Sequence, residues 1–98
     1  MKVRWSEEAG RDRTEIVDYI WADNPLAAGR MDALFDAAAN RLANFPRLGR
    51  EGMIPGTREL IPHPSYRLVY EITDSEIIIH ALLHTARQWP PVDDKGDA

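Results

Sequence analysis

The segment from Tyr66 to His84 constrains the fold more than any other. Tyr66, Leu68, Tyr70 and Ile72 alternate with Arg67, Val69 and Glu71, the period of a strand with one apolar face. Thr73-Asp74-Ser75-Glu76 follows as a polar connector of hairpin length, and Ile77 to His84 is then a near-continuous apolar run. Such a run predicts a central strand covered on both faces. Upstream, Thr57 to Ile61 is a shorter strand that Pro62-His63-Pro64 should stop or bulge, because proline cannot donate to a ladder. Together these segments predict an antiparallel meander.

The first half has a different period. Met1, Val3 and Trp5 alternate with Lys2 and Arg4 as a short half-buried strand. Ser6 is placed to cap a helix whose first turn carries Glu7 and Glu8, where the helix dipole favours acids. Ala9, Ile16, Val17 and Ile20 form its apolar stripe, widened by Tyr19 and Trp21. Asn24-Pro25 ends this helix and starts a second, Asn24 as cap and Pro25 at the first helical position. The second helix runs to about Asn44 on a stripe of Ala28, Met31, Leu34, Phe35, Ala38 and Leu42. Its alanines permit close approach, so the pair reads as a helical hairpin. Phe45 to Gly52 reads as a loop and Pro55-Gly56 as a turn.

The expected fold is therefore α+β in the order β-α-α-β-β-β. The N-terminal strand joins the sheet across the helical hairpin, which covers one sheet face and leaves the other at least partly open. Residues 1–91 make up the expected single domain, and the acidic tail 92–98 is expected to be flexible. A chain of 98 residues has room for one domain.

Composition removes several function classes. Cysteine is absent, which excludes a disulfide framework, a thiolate metal site and a cysteine nucleophile. The apolar run at Ile77–Leu83 is far shorter than a membrane span, and the first ten residues lack the apolar region of a signal peptide. A cytoplasmic protein with no membrane partner is expected. The formal net charge is −4, against reliance on non-specific phosphate attraction. Its distribution is uneven. Ser6–Asp36 holds eight acids and three arginines, whereas Arg41–Tyr70 holds five arginines and two acids. Ordinary surface pairing accounts for such a pattern, and an anion-facing sector in the second half is the sharper reading.

No phosphate loop, GxSxG or HExxH is present. His80 and His84 are four apart on a strand, hence about 13 Å apart, too far for one ion; no metal and no cofactor is expected. His80 reads as a core-edge residue and His63, between two prolines, as an exposed loop residue. The informative set is Arg58, Arg67, His84 and Arg87, expected as a cluster on the open sheet face. Arginine beside a titratable histidine can hold phosphate and move protons. The plain alternative is that Arg67 pairs with Glu59 or Glu71 across strands, and spacing alone leans that way. Trp89, before Pro90-Pro91, reads as packing over the sheet edge or as a partner contact.

Gly56-Thr57-Arg58-Glu59-Leu60, Tyr66-Arg67-Leu68-Val69-Tyr70 and Leu83-His84-Thr85-Ala86-Arg87-Gln88-Trp89-Pro90 resemble the RelE/ParE toxin superfamily of type II toxin–antitoxin modules. Asp18-Tyr19-Ile20 with Asn24-Pro25, and the Phe45-Pro46-Arg47-Leu48-Gly49 turn, are similar to the same family, so the resemblance spans about residues 1 to 91. It implies a toxin neutralised by a cognate antitoxin that is encoded adjacently. One branch, RelE-like, cleaves mRNA in the ribosomal A site with basic side chains on the open sheet face. The other, ParE-like, poisons DNA gyrase and is not known for a catalytic centre of its own. Arg67 matches the arginine of the RelE-like YRLVY-type strand, and Arg87 the arginine after the last strand. Arg58 is a candidate for one of two lysines, Leu60 stands at the other, and no tyrosine follows Tyr70. His84 is a candidate proton-transfer group at a different position from the family's catalytic histidine. This incomplete set and the negative charge favour the ParE-like branch, with gyrase as target. The alternatives are a ribosome-dependent mRNA endonuclease using Arg67, His84 and Arg87, or a degenerate interaction module without toxicity. An antitoxin tail with acidic residues would meet Arg58, Arg67 and Arg87 by adding a strand or laying an apolar side in a groove.

Overall fold

The chain runs β1 (Lys2–Trp5), α1 (Glu7–Asp23), α2 (Pro25–Asn44), β2 (Arg50–Glu51), β3 (Arg58–His63), β4 (Tyr66–Ile72) and β5 (Glu76–His84) in a computed structural model. The structure describes residues 1–90, so the tail expected at 92–98 lies outside the described residues. One sheet has the order β1-β5-β4-β3-β2. β1 runs parallel to β5, and the other neighbouring strands are antiparallel. The expected order of elements holds, with one addition. Arg50-Glu51, expected within a loop, pairs with Glu59 and Arg58 as a two-residue edge strand.

Capping residues set the helix boundaries. The Ser6 hydroxyl accepts from Ala9 N at 3.0 Å, while Ser6 N donates to Ile79 O at 2.9 Å. The same residue thus closes the β1–β5 ladder and opens α1. Asn24 joins the two helices in the same manner: its N–H donates to Ile20 O at 2.7 Å, and its side chain accepts from Ala27 N at 3.1 Å. Arg13 ties the hairpin together. Its Nε donates to Asp32 Oδ1 at 2.7 Å, and its guanidinium lies 4.8 Å from the centre of the Trp5 ring. Tyr19 and Trp21 do not widen the buried stripe as expected, being 84% and 59% exposed. Each stands about 100° from Ile20 around the axis, outside the narrow face that α1 turns inward.

The core lies between the hairpin and the sheet. Ala9, Phe35, Ala39 and Leu42 of the helices pack on Leu68, Tyr70, Ile77, Ile79 and Leu82. A smaller cluster of Val69, Ala81 and Leu83 lies on the other face, with Trp89 packed against it. β5 supplies both because its alternation is broken once. Val69 pairs with Ala81 and Tyr70 with Ile79, so His80 is the extra residue of a β-bulge. Ile77 and Ile79 face the helices before it, and Leu82 does after it. Pro62 produces the second irregularity, between Leu60 and His63, and the strand bulges there instead of stopping.

Tyr70 also anchors the 46–49 turn. Its hydroxyl accepts from Gly49 N at 2.9 Å and donates to Pro46 O at 2.7 Å. A Cβ on Gly49 would lie 2.7 Å from Glu59 O and 2.8 Å from Tyr70 Cε1, so the close approach of turn and strand requires glycine.

Candidate functional site

Register assigns the charged residues to faces, because directly opposed strand residues project on the same side. Glu59 is opposite Val69 and Arg50, and Arg67 is opposite Leu83. These residues therefore share the face that the helices leave uncovered. Arg58 is opposite Tyr70 and His84 opposite Tyr66, which places both on the helix side. The expected cluster of Arg58, Arg67, His84 and Arg87 is not brought together.

Each expected site residue has its own surroundings. Arg67 Nη1 lies 3.5 Å from Glu59 Oε1, and its side chain is 18% exposed. Arg58 is occupied with the 47–49 turn, its Nε donating to Gly49 O at 2.9 Å and its Nη2 to Arg47 O at 3.3 Å. His84 accepts from Ala86 N through Nδ1 at 3.1 Å and meets the Tyr66 ring edge-on at 5.6 Å between centres. With Glu15, Ile16, Tyr19 and Tyr66 it lines a groove on the helix side. Arg87 is exposed in the turn after β5, and its guanidinium meets no carboxylate among the described residues. Trp89 covers Val69, Ala81 and Leu83, the packing alternative for that residue. So Arg67 and Trp89 share the open face, while Arg58 and His84 belong to the other.

The centre of the open face is Glu59, 3% exposed and the buried charged residue among the described residues. Besides Arg67, Arg50 Nη2 lies 4.0 Å from the same Oε1. The second oxygen, Oε2, accepts from Met53 N at 3.1 Å. The cross-strand alternative for Arg67 is therefore what the structure contains. Arg67 Nε and Trp89 Nε1 are buried with no hydrogen-bond partner among the described residues.

A second polar pair, His80 with Glu71, carries no signal in the sequence. His80, pushed outward by the bulge, makes a 2.9 Å contact from Nε2 to Glu71 Oε1. It borders a groove of about 490 Å³ shared with Arg11, Ile54, Thr57, Val69 and Trp89. His63, expected as an exposed loop residue, is instead half-buried at the end of β3, with Nδ1 accepting from Ser65 N at 3.0 Å. The three histidines thus have separate partners. Chemically, Arg67 presents a neutralised guanidinium, and no histidine stands beside it to move a proton.

Residues 3–89 match the family described as ParE toxin of type II toxin-antitoxin system, parDE. The chain is 40% identical over 93 residues to Y4kP of Sinorhizobium fredii, covering 93% of this chain and 95% of that protein. It is 38% identical over 86 residues to the toxin RelE2 of Caulobacter vibrioides, covering 88% and 97% respectively. Among solved structures, a chain of the chromosomal ParDE system of P. aeruginosa superposes with a TM-score of 0.76 at 20% identity, covering 86% of this chain and 95% of that one. That last likeness is one of fold.

Proposed function

We propose that this chain, which belongs to the ParE toxin family of type II toxin–antitoxin systems, inhibits growth by poisoning DNA gyrase through protein contact. The observation that carries this reading is the closed guanidinium of Arg67. A nuclease using this face needs cations free to hold the scissile phosphate and a group that moves the 2′-hydroxyl proton. Here Glu59 neutralises Arg67 at 3.5 Å, Arg58 is bound to turn carbonyls, and His84 lies across the sheet from Arg67. The net charge of −4 weakens steering onto ribosomal RNA in the same direction.

A cognate antitoxin is the second partner in this reading. Arg87 and Trp89 are the residues we assign to contact with target or antitoxin, since Arg87 is exposed and meets no carboxylate among the described residues and Trp89 caps the apolar part of the open face. Among the described residues no helix is long and apolar enough to cross a membrane.

Supercoiling and DNA-cleavage assays with gyrase and purified chain test the target. Trapped cleavage complexes that disappear on adding antitoxin are the expected result. The competing reading is ribosome-dependent mRNA cleavage, favoured by the exposed Arg87. Message cleavage on ribosomes that Arg87→Ala abolishes, with gyrase unaffected, would replace the gyrase assignment. A folded chain that leaves gyrase, ribosomes and cell growth all untouched would make it an interaction module.

A further inference from the structure

A carboxylate buried on a sheet face that no helix covers needs a physical reason. Burying an ion is costly, and an apolar replacement of a buried pair is often neutral or better for stability. Glu59 nonetheless sits there at 3% exposure. Its surroundings have the donor set of an anion cradle. Arg67 Nη1 and Arg50 Nη2 converge on one oxygen at 3.5 and 4.0 Å, and Met53 N–H reaches the other at 3.1 Å. Two guanidinium groups and a backbone N–H are the kind of donors that take up phosphate oxygens. Arg67 Nε, buried and without a partner among the described residues, leaves donor capacity unused.

The turn at 52–57 closes over this arrangement. Gly52 N donates to Thr57 O at 2.8 Å, and Thr57 Oγ1 donates to Ile54 O at 2.6 Å. A Cβ on Gly52 would lie 3.3 Å from Glu59 Oε2 and would collide with Thr57 Oγ1. The carboxylate is thus held between the strand that carries it and a turn folded onto it.

We propose that Glu59 is a built-in anion occupying a phosphate cradle made by Arg50, Arg67 and the Met53 N–H, and that it closes this face to the RNA backbone. Glu59 is then a specificity-determining residue, selecting a protein target over a nucleic acid; this rests on the protein-target reading above. The ligand class excluded is phosphate, whether free or within a strand.

The test uses the full chain, freed of antitoxin, with a fluorescent single-stranded RNA oligonucleotide and with inorganic phosphate as separate probes. Glu59→Ala removes both the charge and the carboxyl group that fills the cradle. It should bind the oligonucleotide roughly 10-fold more tightly than the parent chain, the effect of one charge-assisted contact. Affinity should fall with salt, and adding Arg67→Gln should return it to the parent level. Tighter binding of the oligonucleotide alone points to the strand, whereas equal gains for inorganic phosphate point to a free-anion site; either supports the cradle. A folded Glu59→Ala chain that binds neither probe better overturns the proposal, as does a gain that persists after Arg67→Gln. The parent chain supplies a test that needs no variant. Its Met53 amide resonance should stay unmoved by inorganic phosphate, and a saturable shift there would also overturn the proposal. Absence of a gyrase effect in the parent chain would remove the target reading without altering these binding results.

Discussion

The two faces of the sheet are closed by different physics. On the helix side, Phe35, Leu42, Leu68, Tyr70, Ile77 and Ile79 exclude water by apolar packing. On the other side, three small or medium apolar residues lie under one indole, and the rest of the face is closed by a buried ion pair. Apolar burial is non-directional and tolerates many neighbours, whereas an ion pair depends on both partners. The helix side should therefore set stability broadly, and the open side should respond sharply to a few charged residues.

The largest expected effect breaks the helix side. Phe35→Ala removes a fully buried ring that meets Tyr66 edge-on at 5.4 Å and should cost about 3–5 kcal/mol in denaturant unfolding. On the open side, Arg67→Ala leaves Glu59 short of its nearest cation and should cost about 3 kcal/mol. Replacing both with apolar residues, as in Glu59→Val with Arg67→Met, should recover much of that loss. If the single Arg67 change unfolds no more easily than the parent chain, the open face is not closed by charge. Tyr70→Phe sharpens the comparison from within the core. It strands Gly49 N and Pro46 O, which the hydroxyl satisfies at 2.9 and 2.7 Å, and should cost about 1–3 kcal/mol. The smallest effect belongs to Arg11→Ala. Its exposed pair with Glu7 at 3.1 Å should contribute under about 0.5 kcal/mol, read as a thermal midpoint barely changed.

The difference between the faces also explains what was legible in the sequence. The helices were readable because their boundaries lie in short-range signals, Ser6 and Asn24-Pro25, whose capping hydrogen bonds reach only three or four residues. The β4–β5 hairpin was readable from alternation. His80 was not, because nothing in an apolar run marks which residue is extra. That one residue decides the site: strict alternation from Ile77 would carry His84 to the open face beside Arg67, and the bulge returns it to the helix side. β2 was missed because two residues carry no period. Glu59 was legible as a pairing choice for Arg67, but its burial was not. That burial depends on the 52–57 turn folding back and on Arg50 arriving from a strand that the sequence did not announce.

Asp12 has a consequence for the life of this protein at high concentration. β1 stops at Trp5, opposite Ile79, so the following part of β5 loses its neighbour on that side. Asp12 Oδ2 accepts from Leu82 N at 3.0 Å, filling with a side chain a place where another strand could dock. The residues it guards, from His80 onward, continue the most apolar stretch of the chain, Ile77 to Leu83, and an open edge there would invite copies to stack through their backbones. One carboxylate on α1 thus occupies a backbone donor that another copy's strand would otherwise meet. Loss of that carboxylate should appear as slow turbidity on standing well before it appears as a change in the folded monomer.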